Sequence, residues 1–218
     1  MRRAAYSLAV LLVLAGCTPP GITPDPPPIT GSAAFPCPAF TAASTASTPA
    51  VRSGRVQVGR VSYPSAPAPF GPADAAEYLP FANLVGSQRA VVEASTATSM
   101  GWESVIALGR LSSVDGAWGA EQAAEVVAQC SLSQVWRGID YHPNVGRDEA
   151  VQVDGHQGWL RVTELSFSVP GVRTSSETQT VVTIRVDDET YAYLSYLPGS
   201  APDLKPLVDA TREGLQVD

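Results

Sequence analysis

The sequence predicts an α+β domain, an antiparallel β-sheet packed with an Ala-rich central helix and a C-terminal helix. Two observations predict it. Short segments with alternating apolar residues recur from Arg55 onward, two of them divided by the hairpin pair Asp154-Gly155. Between Ala117 and Cys130 the apolar period changes to three and four, the signature of an amphipathic helix.

The domain opens with Arg55 to Tyr63, where Val56, Val58, Val61 and Tyr63 mark one strand with a bulge at Gly59. A Pro- and Gly-rich loop follows from Pro64 to Pro72, then a helical turn over Ala73 to Tyr78. Gln88–Ala94 and Ser104–Leu111 read as strands. In the helix, Ala120, Ala123, Ala124, Val127 and Cys130 form a small-residue stripe that lets it approach a sheet closely, with Glu121, Gln122, Glu125 and Gln129 on the other face. Glu149–Val153, Gln157–Phe167, Thr178–Val186 and Thr190–Leu197 then form an antiparallel meander. The terminal helix has Asp203 as its N-cap, Pro206 in the first turn and Gly214 near its end. Leu204, Leu207, Val208, Thr211 and Leu215 form its inward face.

Residues 1–16 read as a lipoprotein signal peptide. Arg2 and Arg3 precede an apolar run from Tyr6 to Ala15, of signal-peptide length and too short to span a bilayer. The run closes on Leu14-Ala15-Gly16-Cys17, a lipobox. Cys17 is therefore the expected lipidation site, and two acyl chains suffice for a stable membrane anchor. Residues 17–50 follow as a tether: nine of the 19 prolines lie there, then Ala, Ser and Thr. Such a stretch buries too little apolar surface to offset its ordering entropy. Thr18, Thr23, Thr30 and Thr45 are either O-glycosylation acceptors or part of a plain spacer. Residues 51–218 are the expected folded domain.

The formal charge is −7, and losing Arg2 and Arg3 with the leader makes it more acidic by two. An acidic surface repels nucleic acid and anionic lipid head groups, so neither is an expected partner. Cys37 and Cys130 remain once Cys17 is acylated. In an oxidising compartment an even remainder points to a disulfide, the alternative being two separate thiols with Cys130 a small core residue. Lys205 is the only lysine among the 14 Lys and Arg residues, a bias typical of high-GC bacteria such as actinobacteria.

Catalytic and metal-binding signatures are sparse. His142 reads as lying in a loop between helix and strand, and His156 beside the Asp154-Gly155 turn, neither with a metal-ligand neighbour. No HExxH, CxxC, G-x-S-x-G or S-x-x-K motif occurs, so no catalytic residue, cofactor or metal is expected. Asp187-Asp188-Glu189 reads as a solvated turn in preference to a calcium site. The tryptophans are the other residues to weigh. Trp102 and Trp159, each after a glycine, line a ligand cleft or partner surface, or else pack in the core. Trp118 and Trp136, near the helix ends, form with Tyr141 a candidate exposed contact patch.

The element order, the Ala-rich helix ending in Cys130, the Gly155…Gly158-Trp159 hairpin and the tail from Tyr191 through Pro198 to Leu204, Leu207 and Leu215 resemble the PsbP-like fold. Within it, the chain looks like actinobacterial lipoproteins of the LpqN kind. That resemblance covers about residues 51–218 and implies a non-catalytic accessory or binding protein. The expected function is thus an envelope lipoprotein on the extracytoplasmic face of the cell membrane, contacting an envelope protein or a cell-wall component. The alternative is a carrier of a lipid or small apolar ligand in a cavity between sheet and helix.

Overall fold

A computed structural model describes residues 37, 49–75, 79, 81–94, 101–112 and 119–218. The expected signal peptide, Cys17, most of the expected tether with its four threonines, and Trp118 lie outside the described residues.

Six antiparallel strands form the main sheet. In chain order these are β4 (Ala82–Glu93), β5 (Trp102–Leu111), β6 (Tyr141–Val153), β7 (His156–Phe167), β8 (Ser176–Val186) and β9 (Glu189–Pro198), in spatial order β4-β5-β9-β8-β7-β6. The last four make the meander expected from the sequence. Its first turn has Asp154 at φ 51° and Gly155 at φ 81°, the two left-handed residues of a type I′ hairpin. Between β5 and β6 the chain crosses one face of the sheet as helix α1 (Ala120–Val135).

A smaller sheet covers the opposite face, ordered β1 (Ala50–Arg52), β2 (Arg55–Val58), β3 (Val61–Pro64) and β10 (Gln216–Val217). Helix α2 (Lys205–Glu213) covers that face too, so the domain has three layers around two cores. Central strands feed both. Ala107, Ala192, Leu194 and Val181 pack toward α1, while Ile106, Leu108, Tyr191, Tyr193 and Val182 pack toward the small sheet and α2. This double burial explains why β5 and β9 carry apolar residues on both faces, Val105 beside Ile106 and Tyr193 beside Leu194.

The small-residue stripe of α1 is buried at all five positions. Polar groups of β8 bind the helix as well: Thr183 Oγ1 donates to the Ala120 carbonyl at 2.6 Å, and Gln179 Nε2 to Ser131 Oγ at 2.8 Å. Cys130, fully buried on the stripe, is bonded to Cys37, with Cα atoms 5.5 Å apart across a sequence separation of 93.

Four expectations need correction. Arg55–Tyr63 is two strands, β2 and β3, because Gly59 at φ 58° opens a two-residue turn where a bulge was expected. In the expected helical turn, Asp74 pairs with Ser87 as an isolated bridge, and residues 76–78 lie outside the described residues. His142 belongs to β6, with the strand starting at Tyr141 in spite of Pro143. That is tolerated because β6 is an edge strand, where a missing N–H need not break a ladder. Finally, Asp203 makes no capping bond. It sits in a 3-10 turn over Pro202–Leu204 that runs into α2, whose N-cap, Leu204, is already in the right-handed helical region.

Candidate functional site

A cleft of about 550 Å³ lies beside the C-terminal end of helix α1. Val135 of α1, with Trp136 and Ile139 just beyond it, forms one side; Val91 and Val105 of β4 and β5 and Tyr196 of β9 form the sheet side. Two of these, Val91 and Val135, are 66% and 48% exposed, so apolar surface continues to the rim.

Aromatic rings fix the inner wall. Trp102 stacks on Phe167 with centroids 4.9 Å apart, and Trp136 meets both edge-on at 5.4 and 4.6 Å. Tyr141 leans on Trp136 at 5.5 Å. The expected exposed patch is therefore corrected for Trp136, which is only 2% exposed. Helix α1 runs past Cys130 to Val135 and carries Trp136, its C-cap, under the sheet. Trp136 and half-buried Tyr141 do come together, as part of a core cluster. Trp102 is buried, as the core reading has it, and it also borders the cleft. Trp159 lies elsewhere, its Nε1 donating to Asp148 at 2.6 Å.

Three glutamates also line the cleft, a feature the sequence reading missed. Glu93 closes β4 and accepts hydrogen bonds from the Thr174 hydroxyl at 2.7 Å and the backbone N–H groups of Arg173 and Thr174 at 2.9 and 2.8 Å. These bonds, the hydroxyl foremost, pull its pKa down to about 2. Glu103 faces Arg89 at 4.0 Å. Glu177 is the distinctive one. It is 4% exposed, accepts a hydrogen bond from Trp102 Nε1 at 3.1 Å, and burial pushes its pKa up to about 8 against that stabilising bond. The alternation of β8 places it: Glu177, Gln179, Val181 and Thr183 share the face that meets α1. Read alone, Glu177 at a strand end gives no sign of burial.

His142 and His156 do not share a site. They stand at opposite ends of the β6–β7 hairpin, paired with Ser166 and Val153, which separates them by roughly 35 Å at the rise of a strand. Among the described residues no group of three His, Cys, Asp or Glu is placed to hold a metal ion, and no helix is long and apolar enough to cross a membrane.

No family model and no curated protein sequence matches the chain. Among solved structures it is similar to LpqN of Mycobacterium tuberculosis, described as involved in cell envelope biogenesis, at 12% identity over 72% of this chain and 82% of that one, TM-score 0.45. It is similar to the Ran-binding protein Mog1p of Saccharomyces cerevisiae at 14% identity over 73% and 90%, TM-score 0.44. It is also similar to the cyanobacterial PsbP of Synechocystis at 10% identity over 62% and 86%, TM-score 0.38. The α+β class rests on the strand pairing and helix packing described above.

Proposed function

We propose that the chain is an acylated envelope protein whose domain, residues 51–218, is a non-catalytic binding module. Its cleft at the end of α1 holds the apolar part of a ligand. The lipobox at Cys17 and the Pro-rich stretch that follows it support an address outside the cytoplasm. The Cys37–Cys130 bond supports an oxidising compartment. If Cys37 is held to the domain, the free tether before it reaches on the order of 60 Å from the membrane, at about 3.1 Å per residue.

The cleft itself carries the binding reading. Its volume of about 550 Å³ falls in the range of small-molecule sites, and such sites combine apolar walls with a few convergent polar groups. Tethering serves a carrier of an apolar ligand as well as a module that meets a protein or wall component. The cleft favours the carrier.

The test is titration of the mature chain, made soluble by Cys17→Ser, with the neutral probe N-phenyl-1-naphthylamine. Saturable binding at one site, weakened at least about tenfold by Val91→Asp or Val135→Asp, is the expected result; a tenfold loss corresponds to about 1.4 kcal/mol. Both valines are exposed, so the fold tolerates the change. Absent binding, or binding indifferent to both substitutions, contradicts the proposal.

A further inference from the structure

Apolar walls set where a chain lies; charges set which head group accompanies it. Glu93, Glu103 and Glu177 line the cleft, and no Lys, Arg or His among the described residues does. An anionic head group there meets no cationic side chain in the lining. Glu93 is engaged by Arg173 and Thr174, and Glu103 by Arg89. Glu177 is different. Its one hydrogen bond comes from the neutral indole of Trp102, and no cationic side chain pairs with it among the described residues. A carboxyl so buried and lacking a counter-charge is normally costly. Aromatic side chains flank it in the wall, Trp102, Trp136 and Tyr196. Aromatic faces attract cations, more strongly where water is excluded.

We infer that the cleft selects an amphiphile with a protonated amine head group, the ammonium set on the Glu177 carboxylate and the apolar chain along Val105, Val135 and Val91. This rests on the proposed binding role of the cleft. Burial favours the neutral acid in the empty cleft (pKa about 8), and a bound ammonium supplies the counter-charge that ionises it.

The experiment compares three probes of equal chain length, dodecylammonium, dodecanol and dodecanoate, each below its micelle concentration. All are titrated into the mature chain carrying Cys17→Ser. The expected order is dodecylammonium at least about tenfold tighter than dodecanol, which a tenfold ratio equates to about 1.4 kcal/mol, with dodecanoate weakest. Glu177→Gln is expected to bring dodecylammonium down to the level of dodecanol while dodecanol is unchanged, which also verifies that the variant is folded. Asp203→Asn, on the exposed 3-10 turn away from the cleft, is expected to keep the preference. Equal binding of ammonium and alcohol by the parent chain overturns the inference, as does a preference that survives Glu177→Gln or falls equally with Asp203→Asn. Failure of all three probes to bind overturns the cleft reading itself.

Discussion

Trp102 Nε1 donates to Glu177 Oε2 at 3.1 Å across the inner wall of the cleft, joining the first residue of β5 to the second residue of β8. The bond stabilises the carboxylate, yet burial outweighs it and raises the Glu177 pKa from 4.5 to about 8. Between those values the folded chain holds a proton that the unfolded chain has released. Glu177 therefore lowers stability as pH rises through that window, by about 1.4 kcal/mol per pH unit at most. Its contribution is whole below 4.5 and lost once pH passes about 8. Urea unfolding of the parent and of Glu177→Gln at pH 5, 7 and 9 checks this. The parent is expected to weaken relative to the variant as pH rises; parallel profiles contradict the assignment.

Glu93 has the opposite sign. Hydrogen bonds from Thr174 and Arg173 lower its pKa to about 2, so its contribution is present above the ordinary carboxyl range and lost as pH falls through about 2. Those bonds hold the segment between β7 and β8 against the end of β4. Glu93→Ala is expected to raise amide exchange at Thr174 at least about tenfold. Unchanged exchange there contradicts the role.

The Cys37–Cys130 bond ties a residue of the expected tether to the buried stripe of α1. In the chain-entropy model a loop of this size is worth roughly 4–5 kcal/mol. Cys37→Ser removes the bond without touching the buried sulfur of Cys130. Denaturant unfolding is expected to show a loss of about 2–5 kcal/mol. A loss under about 0.5 kcal/mol, the usual effect of a surface substitution, contradicts it.

Gly59 and Gly155 are both left-handed turn residues, yet they differ in surroundings. A Cβ at Gly59 meets Tyr191 Oη at 2.6 Å, whereas at Gly155 it meets nothing within 4 Å. Gly155→Ala is expected to cost about 1 kcal/mol, the strain of a left-handed alanine alone. Gly59→Ala adds the clash and is expected to cost about 1–3 kcal/mol more. Adding Tyr191→Phe to Gly59→Ala is expected to recover part of that excess, read as coupling in a double-mutant cycle. Equal costs at the two glycines contradict the packing.

The sequence carried the fold where local chemistry decides it. The Asp154-Gly155 turn, the stripe from Ala120 to Cys130 and the apolar residues of β8 and β9 were all legible, because turn type and period are set by neighbours along the chain. What failed depended on residues far away. Gly59 turns the chain because β3 pairs back on β2, and Pro143 is tolerated because β6 has a free edge. The periodicity through Cys130 does not show that the helix runs on to Val135 and buries Trp136, whose partners Trp102 and Phe167 come from β5 and β7. Glu177 is illegible for the same reason, since its partner Trp102 comes from β5, 75 residues away along the chain. The sequence leaves Trp102 between core packing and a cleft or partner surface; it is buried, and it also borders the cleft.

The central claim is that an apolar ligand occupies the cleft between the end of α1 and the sheet. Diffraction from crystals of the Cys17→Ser chain soaked with 12-bromododecanol tests it most directly, because bromine marks the chain's position. The account predicts a bromine peak between Val105 and Val135. Bromine bound only outside the cleft, with the cleft itself empty, contradicts it.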